Sequence, residues 1–107
     1  MSALTRDLSH TIAVRLRRDR AFRQVLLAEA VNVCIAGDTR AGKAVLRELV
    51  NATVGFKGLA VEVKKPSMTL RRMLTPHGNP SAENFFDIVK APQKKTRVRL
   101  RVTADLT

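Results

Sequence analysis

Apolar residues recur at helical spacing through the first half of the chain. Leu8, Ile12 and Leu16 lie four residues apart, with Arg6, Asp7, Arg15, Arg17 and Arg18 largely off that stripe, which predicts an amphipathic first helix. Asp19 is placed to cap a second helix with a main stripe of Phe22, Val25, Leu26, Ala30, Val33 and Cys34. Leu27, Val31 and Ile35 lie off that stripe, so this helix is apolar on more than one face. It is expected either to sit centrally in the core or to cover a partner. Gly37 supplies a stop, and Asp38 or Thr39 caps a third helix through Val45, Leu46, Leu49 and Val50. These helices are expected over residues 5–53.

The second half carries shorter elements. After a breaker at Gly55, Phe56, Leu59, Ala60 and Val63 fall on one helical face. Lys64-Lys65 interrupts, and Pro66-Ser67 opens a helix over 66–74 that turns Leu70, Met73 and Leu74 inward. Residues 75–80, Thr-Pro-His-Gly-Asn-Pro, read as a loop. Ser81 caps a helix with Glu83 and Asn84 in its first turn, Phe85, Phe86, Ile88 and Val89 as its apolar side, and Pro92 as its end. Over 97–103, Arg-Val-Arg-Leu-Arg-Val-Thr alternates strictly, which is the period of a strand with one apolar and one arginine face.

Composition narrows the chemistry. The 107 residues hold 20 Lys+Arg against 9 Asp+Glu, a formal charge of +11, while 45% of residues are hydrophobic. A chain of that length builds one core, so a single domain over 1–107 is expected. The charge favours a polyanionic partner, nucleic acid before membrane. Residues 1–50 carry nine basic and five acidic side chains and residues 51–107 carry eleven and four, so the second half is the expected working surface. Aromatics are only 4%, all Phe, which argues against gripping single-stranded bases by stacking. No apolar run reaches the ~20 residues of a membrane span, and no secretory signal is expected in residues 1–20. The single cysteine, Cys34, cannot form an internal disulfide, suits a reducing cytoplasm, and is expected to behave as a small buried hydrophobe. Two His and one Cys give no metal-ligand spacing, and neither a metal nor a cofactor is expected.

Gly37 to Lys43 fits the spacing of a phosphate-cradling loop, GxxxxGK. That chemistry needs Ser or Thr after the lysine to hold magnesium, and Ala44 stands there. A glycine stop followed by a capped helix explains the same residues. With no carboxylate pair or nucleophile set in a cleft pattern, no catalytic residues are assigned and an enzyme is not expected.

Two short helices separated by a three- to four-residue turn, over about 56–74, match the layout of a helix-turn-helix. Ala60 supplies the small residue facing the second helix, and Leu59, Val63, Leu70 and Met73 lock the pair. The outer face of the second helix then shows Ser67, Met68, Arg71 and Arg72, the candidate base readers. Arginine reads guanine through O6 and N7, a short serine reaches a base edge or phosphate, and methionine meets a thymine methyl. Lys57, Lys64, Lys65, Thr69 and Asn79 are the candidate phosphate contacts, helped by backbone amides at the helix start near Ser81.

Leu59-Ala60 through Leu74, followed by Gly78-Asn79-Pro80-Ser81 and an amphipathic helix, resembles the lambda-repressor-like helix-turn-helix of HigA-type antitoxins, the addiction-module antidote proteins of bacteria. The likeness extends upstream to the Arg-rich first helix, the apolar helix ending Ala36-Gly37-Asp38, and Leu46-Arg47-Glu48-Leu49-Val50, covering about residues 10–102. The family pattern has Gly, an apolar residue and Ser across the turn and the recognition-helix start, where this chain has Lys64, Lys65 and Pro66. The turn therefore calls for a left-handed or altered conformation at Lys64. The resemblance implies an all-α, lambda-repressor-like helix-turn-helix bundle of about six helices with a short C-terminal β-strand. It also implies a cytoplasmic, sequence-specific DNA-binding repressor of its own operon, paired with a RelE-like ribonuclease toxin.

Such readers generally dimerise on palindromic operators. The apolar second helix, around Leu27, Val31 and Ile35, and the strand with Val98, Leu100 and Val102 are the two candidate homodimer surfaces. The main competing expectation is a non-specific architectural or RNA-binding protein that binds through the basic C-terminal segment. A protein-interaction adaptor, whose charge serves solubility, is the other.

Overall fold

Side-chain caps set the starts of three helices. The computed structural model describes residues 3–107, with side chains from His10 onward, and arranges them as α1 (Ala3–Arg18), α2 (Arg20–Ile35), α3 (Thr39–Ala52), α4 (Gly55–Val63), α5 (Ser67–Met73) and α6 (Ala82–Thr96). Asp19 Oδ1 accepts from the Phe22 N–H at 3.1 Å, Asp38 Oδ1 from that of Ala41 at 3.1 Å, and Ser81 Oγ from that of Asn84 at 3.1 Å. Each bond satisfies a donor that the first turn of a helix leaves free. Gly37 follows α2 at φ +105°, as its role as a stop requires.

The core is continuous through all six helices. Leu16 of α1, Leu27 and Ala30 of α2, Leu46, Leu49 and Val50 of α3, Phe56 and Leu59 of α4, Leu70 of α5 and Ile88 of α6 are buried together. The crossing of α2 and α3 is closest at Gly42, where a Cβ would lie 2.1 Å from Cys34 Sγ and 2.8 Å from the Ala30 carbonyl oxygen. Only glycine lets the two backbones approach that far. Leu8, on the predicted stripe of α1, lies outside the residues whose side chains are described, as do Arg6 and Asp7.

Four expectations need correction. No strand occurs among the described residues: Arg97 closes α6 at φ +57°, and residues 98–107 follow without regular structure. The alternation survives as burial, with Val98 and Leu100 packed on the core and Arg97, Arg99 and Arg101 exposed. A strand needs a ladder partner, and none is present within the chain's described residues. Pro92 does not end α6, which runs on to Thr96. The ring is buried in the core, Thr96 Oγ1 donates to the Pro92 carbonyl at 2.6 Å, and Gln93 Nε2 donates to that of Val89 at 3.3 Å. Burial of the ring offsets the backbone bond to the Ile88 carbonyl that proline cannot make.

On α2 it is Leu27, not Val25, that enters the core, because the helix turns its Leu27–Ala30 side to α3. Val25 is left exposed. Phe86 likewise stands out of α6, while Ile88 and Val89 take the inner face.

Candidate nucleic-acid interface

The helices α4 and α5 are joined by Lys64, Lys65 and Pro66 alone. Lys64 takes the left-handed conformation at φ 58°, ψ 47°, which ends α4 and lets the Lys65 N–H return to the Ala60 carbonyl at 3.2 Å. This is the geometry glycine ordinarily supplies, here carried by a lysine at the cost of a crowded Cβ. Pro66 then stands at the N-cap of α5 with extended backbone, so the helix begins at Ser67.

Two turns of α5 sort its side chains cleanly. Leu70 is buried and Met73 half-buried, while Met68, Thr69, Arg71 and Arg72 are exposed. At about 100° per residue, Met68 and Arg72 sit within about 40° of one another and opposite Leu70. Ser67 is half-buried at the edge of this face. Arg71 bends back over α4 and lays its guanidinium on the Phe56 ring, Cζ 4.7 Å from the centroid, a cation–π contact that holds the head group against α4. Lys64 and Lys65 adjoin this face at its N-terminal end, the first exposed and the second half-buried. Lys57 is exposed on the first turn of α4, and Asn79 and His77 are exposed in the loop after α5.

Two cations of α3 hold α5 from behind. Arg47 Nη1 donates to the Leu74 carbonyl at 3.2 Å, and Lys43 Nζ donates to those of Pro76, at 3.4 Å, and Gly78. Lys43 is only 6% exposed, so its ammonium is satisfied by the loop and is not offered to solvent. Arg47 suits its place, because the carbonyls at the end of a helix carry partial negative charge. Gly78 must be glycine here: a Cβ would lie 2.2 Å from the Arg72 carbonyl oxygen and 2.5 Å from that of Met73.

Sequence reasoning missed Lys43 and Arg47 as positioning residues. Their signal was present, since a lysine at 43 falls three residues before Leu46 and seven before Val50, on an otherwise apolar stripe.

Comparisons with protein-family models, with curated proteins and with solved structures returned no match. The assignment of the surface therefore rests on its chemistry.

Positive charge is not evenly available. Lys64 shares a shallow surface with Lys90 and Lys94 of α6, but Glu62 and Asp87 lie there too, and Lys94 Nζ pairs with Glu62 Oε1 at 3.1 Å. Arg97, Arg99 and Arg101 have no acidic partner among the described residues. Burial raises the Cys34 thiol above its ordinary pKa, partly opposed by the charge of Lys43, so the sulfur stays protonated and packs against Gly42. No group of three or more His, Cys, Asp or Glu side chains gathers among the described residues as a metal site would need, and no described helix is long and apolar enough to cross a membrane.

Proposed function

We propose that this protein is a sequence-specific DNA-binding regulator that reads the major groove with α5. The observation that carries the reading is the tight, left-handed turn at Lys64, which joins two short helices and leaves Met68, Thr69 and Arg72 exposed, with Arg71 exposed beside them and resting on Phe56. In this reading Arg71, Arg72, Met68 and Ser67 contact base edges, while Lys57, Lys64, Lys65, Thr69 and Asn79 hold phosphates. A single such helix reads only a few base pairs, so the protein acts as a homodimer on a palindromic operator with half-sites about one helical turn apart. By its resemblance to the addiction-module antidote proteins, it is the cytoplasmic antitoxin and autorepressor of a toxin–antitoxin pair, with a RelE-like ribonuclease as partner.

The test is a competition titration of the protein's own upstream promoter DNA against scrambled duplex near physiological salt. A preference of about 10³-fold or more, lost on Arg71→Ala but retained on Lys65→Ala with a uniformly lower affinity, is the expected result. Equal binding to both duplexes defeats base reading.

The exposed, acid-free row of Arg97, Arg99 and Arg101 favours a second reading, non-specific binding of nucleic acid through the C-terminal segment. It predicts steep dependence on salt, little on sequence, and loss of binding when those arginines are neutralised.

A further inference from the structure

The alternation that begins at Arg97 continues to the last residue of the chain. Val98, Leu100, Val102, Ala104 and Leu106 are all apolar, and every residue between them is polar. Val98 and Leu100 find the core, but Val102 is 83% exposed and Leu106 fully so. No backbone hydrogen bond joins residues 101–107 to any described residue. Between α2 and α6 lies an open groove of about 520 Å³ whose floor is Val31, Ile35, Phe86 and Val89 with the polar Asn32 and Gln93, and the arm itself, from Leu100 to Thr103 and at Asp105, forms its other wall. Ile35 and Phe86 are 66% and 61% exposed there. The strand-patterned arm thus walls one side of the groove, and its backbone has no ladder partner.

We propose that residues 99–107 pair antiparallel with the same segment of a second copy, and that the ribbon so formed covers the α2–α6 groove of both. The arm's one backbone-to-side-chain bond and its charge pattern select the occupant and the register. In an extended chain successive backbone groups point to opposite edges. The Leu100 N–H is turned toward its own chain, where Gln93 Oε1 accepts it at 2.9 Å. The edge formed by the odd-numbered residues is therefore the free one.

Apolar side chains share one face of such a ribbon only when even-numbered residues lie opposite even-numbered ones. Among those registers, alignment about Arg101 sets that residue against its own copy, and alignment about Leu100 sets Arg99 against Arg101. Like charges directly opposite are unfavourable. Alignment about Thr103 instead places Arg101 opposite Asp105 of the second copy, twice by symmetry, with Leu100 opposite Leu106 and Val102 opposite Ala104. Alignment about Val102 sets Arg99 opposite Asp105, but with the ladder starting after Val98, which packs on the core, it pairs only residues 99–105 of each copy and leaves Leu106 uncovered.

The pairing supplies the dimer surface that DNA reading calls for, but its evidence is the arm alone and its test contains no DNA, so either can fail without the other. Sedimentation of the full chain at micromolar concentration is expected to show a dimer. Arg101→Asp and Asp105→Arg each set like charges opposite one another and should raise the dissociation constant about tenfold, and the double variant should restore it. Helical circular dichroism checks that each variant remains folded. Thr103→Cys should cross-link on mild oxidation, while wild type, which retains Cys34, and Val102→Cys should not. A monomer, a dimer indifferent to both single reversals, or cross-linking through Val102→Cys overturns the proposal.

Discussion

Lys43 Nζ, buried in α3, donates to the carbonyl oxygen of Gly78, 35 residues further along the chain. The bond ties the longest-range part of the candidate interface to the interior. The same ammonium takes the Pro76 carbonyl, and Arg47, one turn on, takes that of Leu74. The helix α5 has only seven residues, too few to be stable alone. Its place comes from Leu70 in the core and from this grip on its C-terminal end.

Lys43→Met keeps the volume and removes the charge. It leaves two inward carbonyls without a donor and should destabilise the protein by about 1.5–3 kcal/mol, the range for hydrogen bonds to charged groups. Urea unfolding measures the loss, and hydrogen exchange should show it concentrated in residues 74–78. Unchanged protection of that loop would mean that Lys43 does not hold it.

Gly42→Ala gains helix propensity yet should destabilise the protein by about 1–3 kcal/mol, because the new methyl group meets Cys34 Sγ and the Ala30 carbonyl. Adding Cys34→Ala should recover part of that loss, a non-additivity that thermal unfolding of the wild type, the two single variants and the double variant reads directly.

Lys64→Gly separates fold from function. Relief of the left-handed Cβ should stabilise the protein by about 1 kcal/mol. On the DNA reading it also removes one phosphate contact, lowering the salt slope of binding by about one. A stabilised variant with an unaltered slope would leave the turn as it stands and take Lys64 out of the interface.

The Asp19 carboxyl is held below its ordinary pKa, first by the Phe22 N–H and then by Arg15, against some desolvation. A depressed folded value means the cap stabilises the protein at neutral pH and loses that contribution as pH falls through it. Asp19→Ala should therefore lower the melting temperature at neutral pH, and the gap from wild type should close in acid. A constant gap across that range would show that the charge is not what caps α2.

The helix starts at Asp19, Asp38 and Ser81 were legible because a cap is local: one side chain serves an amide three residues on. The helix pair 56–74 was legible for a similar reason, since its apolar spacing and its lysine-proline break lie within one short window. Burial at Leu27, exposure at Val25 and Phe86, and the grip of Lys43 and Arg47 depend on how elements pack across the fold, which local periodicity does not carry. Pro92 misled because its ordinary effect assumes no tertiary packing, and here the core holds the ring. The alternation at 97–103 was read correctly as a pattern and wrongly as a strand, because a strand is a property of two segments and periodicity describes one.

The grip of α3 on α5 falls entirely on main-chain oxygen atoms, those of Leu74, Pro76 and Gly78. It is therefore blind to what α5 displays on its far side. Residues 68, 69 and 72 should therefore tolerate joint randomisation while the helix keeps its seat, so that, on the DNA reading, new specificities would be selectable by changes in α5 alone.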